Sequence, residues 1–366
     1  MQQVNAAVAA GTWTGFPQLY TWGGNGQGQL ALGNTTNYSS PKQVGSLTNW
    51  AKVGAARGAA FSIKTDGTLW AWGQNAFGVL GIGNSTYYSS PKQVGALTTW
   101  SNIGNGSYHT IVTTISGELW VWGRNNAGQL GLGNTTNYSS PKQVGSLTTW
   151  LNSSGGAAHT VAIKTDGTLW SWGQNAYGQL GLGNITYYSS PKQVGSLTTW
   201  LKTACGFYYT VALKTDGTLW AWGNNSYGQL GLTNLTDYSS PKQVGLLTTW
   251  ANISIKSYTT IATTTSGALY AWGRNNAGQL GLGNITYYSS PKQVGALTNW
   301  ASIAAANSNT VSIKTDGTLW AWGLNNNGQL GLNNTTDYSS PKQVGSLSSW
   351  SKIACGDTSN NTIKIS

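Results

Sequence analysis

The chain reads as an all-β, seven-bladed β-propeller of four-stranded antiparallel blades, its ring closed by one blade built from both ends of the sequence. Three features carry that reading. The segment Ser-Pro-Lys-Gln-Val-Gly begins at residues 40, 90, 140, 190, 240, 290 and 340, and Trp-Gly recurs at Trp22, Trp72, Trp122, Trp172, Trp222, Trp272 and Trp322, so the period is 50 residues with no insertion. Each copy divides into four short extended segments separated by Gly-, Asn- or Asp-containing turns, the pattern of a propeller blade. The last residues align with the second strand of the other copies, whereas the first clear strand, at Leu19–Trp22, aligns with a third strand.

Residues 50–99 show how each element is assigned. Trp50–Gly54 forms the first strand, and Ala55–Ala60 a variable loop. Phe61–Thr65 alternates as a second strand, and Asp66-Gly67 is a two-residue hairpin turn, because both residues tolerate positive φ. Thr68–Trp72 is the third strand, followed by a Gly/Asn-rich loop from Gln74 to Ser90. Pro91–Val94 opens the fourth strand, with Pro expected at the first position of an edge strand, where no ladder donor is lost. Blades follow at 50–99, 100–149, 150–199, 200–249, 250–299 and 300–349; the seventh combines 351–366 with 16–49. Residues 1–15 are left as a tether or extra edge segment, with Thr12-Trp13 competing for the slot assigned to Thr362-Ile363. A helical solenoid does not fit, since no 3.6-residue apolar stripe exists.

Composition narrows the functional classes. Of the 366 residues, 39% are apolar and 11% aromatic, enough for a core, but only 7% are charged, against about 25% in ordinary domains. Nineteen basic and eight acidic residues give a net charge of +11. No apolar run approaches the ~18 residues of a membrane span, and MQQVNAAVAAGTW has no basic leader. Membrane insertion is therefore not expected. Two cysteines exclude a disulfide-built scaffold. Cys205 and Cys355 share one slot three blades apart, and a disulfide needs Cα atoms within about 7 Å, so both are expected as free thiols.

Catalysis has few candidate groups. Asp66, Asp166, Asp216 and Asp316 sit in hairpin turns, and Asp237, Asp337, Asp357 and Glu118 form no close pair for acid/base work. No zinc spacing, calcium loop or phosphate loop is present. The expectation is a protein that is not an enzyme and uses no cofactor or metal.

The repeated residues have structural readings. Seven Trp occupy the Trp50 slot, seven the Trp72 slot and five the Trp70 slot; Tyr20 and Tyr270 fill the other two, and Trp13 completes the twenty. One buried aromatic removes roughly 150–250 Å² from water, so these are expected in the core and between blades. Lys42, Lys92, Lys142, Lys192, Lys242, Lys292 and Lys342 protect outer edges or form an anion-binding ring. Only three Arg are present (Arg57, Arg124, Arg274), so nucleic acid is not the expected partner.

The pattern G-x-L-W-x-W-G-x-N-x-x-G-Q-L-G-L-G-N, then S-P-x-x-V and a G-x-x-H-T-like segment, resembles the regulator of chromosome condensation repeat over residues 16–366. The resemblance implies a seven-bladed propeller with one composite blade. It also implies protein partners, including guanine-nucleotide exchange on a small GTPase or an intracellular effector or ubiquitin-related scaffold. The exchange factors use acidic residues and an inserted β-wedge, for which the strict 50-residue spacing leaves no room. The family includes a plant ultraviolet-B photoreceptor whose sensing tryptophans lie in G-W-R-H-T segments; the matching segments here, GSYHT, GAAHT, GFYYT and KSYTT, contain none.

Comparing copies within the chain separates two faces. The Asp-Gly hairpins and L-T-T-W connections share one face and are nearly uniform. The first-to-second and third-to-fourth loops share the other and vary. Its long loops place Gln27, Phe77, Ala127, Tyr177, Tyr227, Ala277 and Asn327 in one slot. The candidate partner surface is this face, with Tyr108, His109, Phe207, Tyr208, Tyr209, Lys256 and Tyr258 as its richest arc. Arg57, Phe77, His159, Tyr177 and Tyr227 extend it, as do Asn307, Asn309 and Asp357. Loops on a rigid scaffold commonly carry recognition, and aromatics suit protein or carbohydrate contact. The low charge and near-identical copies suggest a phage virion or bacterial surface component, at the virion or cell surface rather than in the cytoplasm, with assembly into an oligomer or particle.

Overall fold

The computed structural model describes residues 17–357 and 359–365. Residues 1–15, with Thr12 and Trp13, lie outside them. Seven four-stranded antiparallel sheets follow one another, each with its strands in chain order from first to fourth except at the seam. In the blade starting at residue 50 the strands are Trp50–Ala55, Ala59–Lys64, Leu69–Gly73 and Tyr88–Gln93. Neighbouring blades meet chiefly through their first strands, which are therefore innermost.

The seam is composite, as the sequence predicts. Trp350–Cys355 and Ser359–Ile365 supply its first and second strands, and Pro17–Gly23 and Tyr38–Gln43 its third and fourth. Pro17–Gly23 pairs with Ser359–Ile365 over seven antiparallel positions, from Pro17 opposite Ile365 to Gly23 opposite Ser359. The ring is thus fastened by a β-ladder.

The fourth strands start three residues earlier than expected, at Tyr88 rather than Pro91. Trp70 and Ala71 pair with Gln93 and Lys92, and Gly73 with Tyr88, so the register slips between them. Pro91 falls in that irregular stretch of an outer strand, another place where Pro costs no ladder bond.

Tryptophan joins the blades. Trp122 is fully buried, in one cluster with Phe61, Leu69, Val79 and Leu80 of the preceding blade. Its Nε1 donates to the Val79 carbonyl oxygen at 2.8 Å. The same bond recurs from Trp72 to Gln29, Trp172 to Gln129, Trp222 to Gln179, Trp272 to Gln229 and Trp322 to Gln279. At the seam Trp22 donates to Gln329 at 3.0 Å, so this joint is built like the others. Five second-strand threonines supply a second donor to the same carbonyls, as Thr160 does to Gln129 at 2.7 Å. The Trp50-class rings pack edge-on within the blade, Trp50 lying 6.4 Å from Trp70 and 6.2 Å from Trp72. Lys64 is not a free surface charge: its Nζ lies 3.8 Å from the Trp70 ring centroid, a cation–π contact.

Both faces are ordered as expected. On the uniform face Gly67 takes φ 78°, and a Cβ there would lie 2.0 Å from the Thr98 carbonyl oxygen, so hairpin and connection touch. On the variable face a buried Asn pins every long loop. Asn75 donates to the Asn84 carbonyl oxygen at 2.9 Å and accepts from the Leu80 amide at 2.9 Å, and Asn125, Asn175, Asn225, Asn275 and Asn325 repeat it. These loops vary in sequence around the same Asn anchor, the loop at Ala76–Gly78 departing locally with Phe77 at φ 60°. Among the described residues no helix is long and apolar enough to cross a membrane.

Candidate functional site on the variable loop face

Four residues expected at the surface are buried. His109, His159 and Tyr209 are 0% exposed and Asn309 is 2% exposed. Each opens a second strand, and beneath the three rings only glycine fits: a Cβ on Gly106 would lie 2.0 Å from the His109 ring, and one on Gly206 1.9 Å from Tyr209, whereas the smaller Asn309 follows Ala306. His109 Nε2 meets Thr160 Oγ1 at 3.0 Å, His159 meets Thr210 at 3.2 Å and Tyr209 meets Thr260 at 3.0 Å. Burial lowers the His109 pKa to about 3; burial and the neighbouring His109 do the same for His159. These are neutral inter-blade pins, closed to a surface partner. The signal is present in the sequence: the slot starts a strand and, at His109, His159 and Tyr209, follows a glycine by three residues.

Lys256 also leaves the arc. It ends the innermost strand Trp250–Lys256 and lines the end of the central channel, a cavity of about 230 Å³ bordered by Asn105, Ser154, Cys205 and Cys355. Both thiols are free and buried; burial pushes the Cys205 pKa up to about 12 and raises that of Cys355. Lys42, Lys92, Lys142, Lys192, Lys242, Lys292 and Lys342 sit one per blade on the outer strands, each Nζ 5.2–5.6 Å from the centroid of its strand's first Tyr.

The remaining aromatics converge. Tyr177 and Tyr208 rings lie 5.2 Å apart, Phe207 and Tyr258 5.6 Å, Tyr208 and Tyr258 6.4 Å, and Tyr227 and Tyr258 4.9 Å. Tyr287, not among the expected site residues, extends the chain 5.7 Å from Tyr227. Tyr177 is 40% and Tyr287 43% exposed. The Arg274 guanidinium lies over Tyr227 at 5.8 Å. The Tyr258 pKa is raised, first by partial burial and then by the nearby phenols of Tyr208, Tyr227 and Tyr177. A second group stands apart: Phe77 and Tyr108 lie 5.7 Å apart, with Arg57 and Arg124 over the Tyr108 ring at 5.3 and 6.0 Å. Between the groups is a hollow of about 410 Å³ where Ala127, Ala157 and Ala158 replace larger side chains. Arg57, Asn307 and Asp357 meet at the seam, with Arg57 Nε 3.5 Å from Asp357 Oδ2. Among the described residues no three His, Cys, Asp or Glu side chains gather as metal ligands.

A closed ring of seven such blades, with Trp-Gly at each third strand, defines a repeat propeller. The model of the regulator of chromosome condensation (RCC1) repeat matches residues 18–63, 66–113, 116–163, 166–213, 216–262, 266–313 and 316–360, and the chain belongs to that family. Human WBSCR16 is 21% identical, with a TM-score of 0.84 over 95% of this chain and 98% of that one. Prp20p of Saccharomyces cerevisiae, described with its binding to Gsp1p and histones, is 18% identical with a TM-score of 0.85 over 95% and 91%. Yeast RCC1 (Prp20) bound by Kap60 gives 17% and 0.85 over 96% and 89%. At these identities the likeness establishes the fold. Comparison with curated proteins gave no match.

Proposed function

We propose that this protein is a non-catalytic recognition propeller whose variable face binds a protein through the arc of Tyr177, Phe207, Tyr208, Tyr227 and Tyr258. One observation carries the reading. The Tyr208 position is Tyr108, Ala158 and Ser308 in blades whose loop follows the same backbone course, and Gly58 (φ 68°) and Tyr258 (after Ser257, φ 50°) where the loop takes a local variant. The rings are therefore not required by the fold, yet they cluster in adjacent blades and remain partly exposed. Clustered tyrosines beside an arginine are the usual composition of an interface centre. Proteins of similar fold are described with protein partners, Gsp1p, histones and Kap60 among them.

The test is joint substitution of Phe207, Tyr208 and Tyr258 by alanine, beside a control at Leu246, which is 93% exposed on the uniform face. Affinity for a purified partner should fall more than tenfold for the triple variant and stay unchanged for Leu246→Ser; equal affinity in all three proteins refutes the assignment. Guanine-nucleotide exchange is a second reading, carried by family membership, and is tested by GDP release from Gsp1p. A role in a virion or on a bacterial surface rests on composition alone, and copurification with particles tests it.

A further inference from the structure

We propose, resting on that protein-binding reading, that the hollow between the two aromatic groups seats an acidic residue of the partner with an apolar residue beside it. The hollow is a gap between side chains. Blade 150–199 carries Ala157 and Ala158 where the blades on either side carry Ser107 and Tyr108, and Phe207 and Tyr208. Its floor is therefore short and apolar, and Tyr108 and Tyr208 remain as walls on either side of about 410 Å³. That volume lies within the about 300–1,000 Å³ of ordinary ligand sites.

The two ends differ in chemistry. At one end stand two of the chain's three arginines, Arg57 and Arg124 lying 5.3 and 6.0 Å from the centroid of the same Tyr108 ring. Arg57 meets Asp357 through Nε at 3.5 Å, which leaves its terminal nitrogens, and its side chain is 53% exposed. Arg124 touches the Phe77 and Tyr108 rings and pairs with no carboxylate among the described residues. No described Asp or Glu lines the hollow. Asp237 and Asp337, also on this face, accept the Asn225 and Asn325 amides of their own long loops at 2.7 and 2.6 Å. Two guanidiniums over one ring repel each other. A carboxylate brought to them offsets that repulsion and accepts charge-assisted hydrogen bonds from their planar donors. At the other end Phe207 and Tyr208, with the alanine floor, suit an apolar or aromatic side chain. A short acidic segment of a protein presents both groups together, since alternate side chains of an extended chain point the same way, about 7 Å apart. A nucleic-acid strand fits less well: it needs a basic track along its backbone, and no Lys or third Arg lines the hollow.

The full chain is used to select from a displayed random-peptide library, and the best sequence is made as a synthetic peptide and titrated by fluorescence anisotropy. It should carry Asp or Glu within two residues of an apolar or aromatic side chain. Exchanging that acid for its amide should weaken binding at least tenfold. Arg124→Gln should weaken the acidic peptide to a similar degree and leave the amide peptide unchanged, because both changes remove one contact. Ala158→Tyr, which copies the side chain of Tyr108 and Tyr208 on the same loop course, should fill the hollow and abolish binding although it adds a ring to the arc. Arg124→Gln keeps the test valid if Ala158→Tyr does not fold. A peptide weakened by the alanine triple variant at Phe207, Tyr208 and Tyr258 but indifferent to Arg124→Gln and Ala158→Tyr overturns the hollow and leaves the arc standing; indifference to all three overturns both. Selected sequences without acids, or tighter Arg124-dependent binding of a single-stranded oligothymidine, also overturn the proposal.

Discussion

Replacing Trp72 and Trp172 by Phe should cost different amounts, although the two side chains occupy equivalent slots. Both are 0% exposed, and both donate to a carbonyl of the preceding blade at 2.9 Å. The packing lost with the indole is common to both and cancels in the comparison. The acceptors differ. The Gln129 oxygen also receives the Thr160 hydroxyl at 2.7 Å, so after Trp172→Phe it keeps a partner. The residue matching Thr160 in the Trp72 blade is Ala60, and Trp72→Phe leaves the Gln29 oxygen without a donor. A hydrogen bond whose acceptor stays paired is worth about 0.5–1.5 kcal/mol, whereas an orphaned buried group costs about 1–3 kcal/mol. Trp72→Phe should therefore be the more damaging by roughly 1–2 kcal/mol, read as the lower urea midpoint at equal slope. Thr160→Ala with Trp172→Phe should destabilise by more than the sum of the two single changes, because together they orphan Gln129. Equal losses for the two Trp variants, together with simple additivity at Gln129, would refute the reasoning.

Two further outcomes follow from burial. His109 and His159 have folded pKa values of about 3 against an ordinary 6.5, so below pH 6.5 the unfolded chain takes up protons that the folded one refuses. Stability should fall as pH drops from 6.5 toward 3, by about 1.4 kcal/mol per pH unit for each histidine; in the His109→Gln, His159→Gln double variant the denaturation midpoint should lose most of that dependence over this range. Cys205 and Cys355, nearly buried at the end of the channel with raised pKa values, should react with a thiol reagent far more slowly than a free cysteine, with urea restoring ordinary rates.

The architecture was legible because it is written seven times: the period, the Asp-Gly hairpins and the match of Ile363-Lys364 to Ile63-Lys64 place strands, faces and seam before any coordinates. The burial of His109, His159, Tyr209 and Asn309 was missed because reading a loop as variable treats all its positions alike. The last position already belongs to the strand, and at His109, His159 and Tyr209 it turns inward onto the next blade's threonine. The fourth-strand start was misplaced because Pro91 was given the strand edge, whereas the ladder slips around it. The seam ion pair was invisible for another reason. Arg57 and Asp357 are 300 residues apart in sequence and meet only when the ring closes.

Ring closure itself is tested by removing residues 359–366 and following urea unfolding by tryptophan fluorescence. The ladder from Pro17–Ile365 to Gly23–Ser359 predicts a much lower midpoint and a separate early phase as Pro17–Gly23 loses its inner neighbour. A single transition at the full-length midpoint would contradict a ring held shut by that strand.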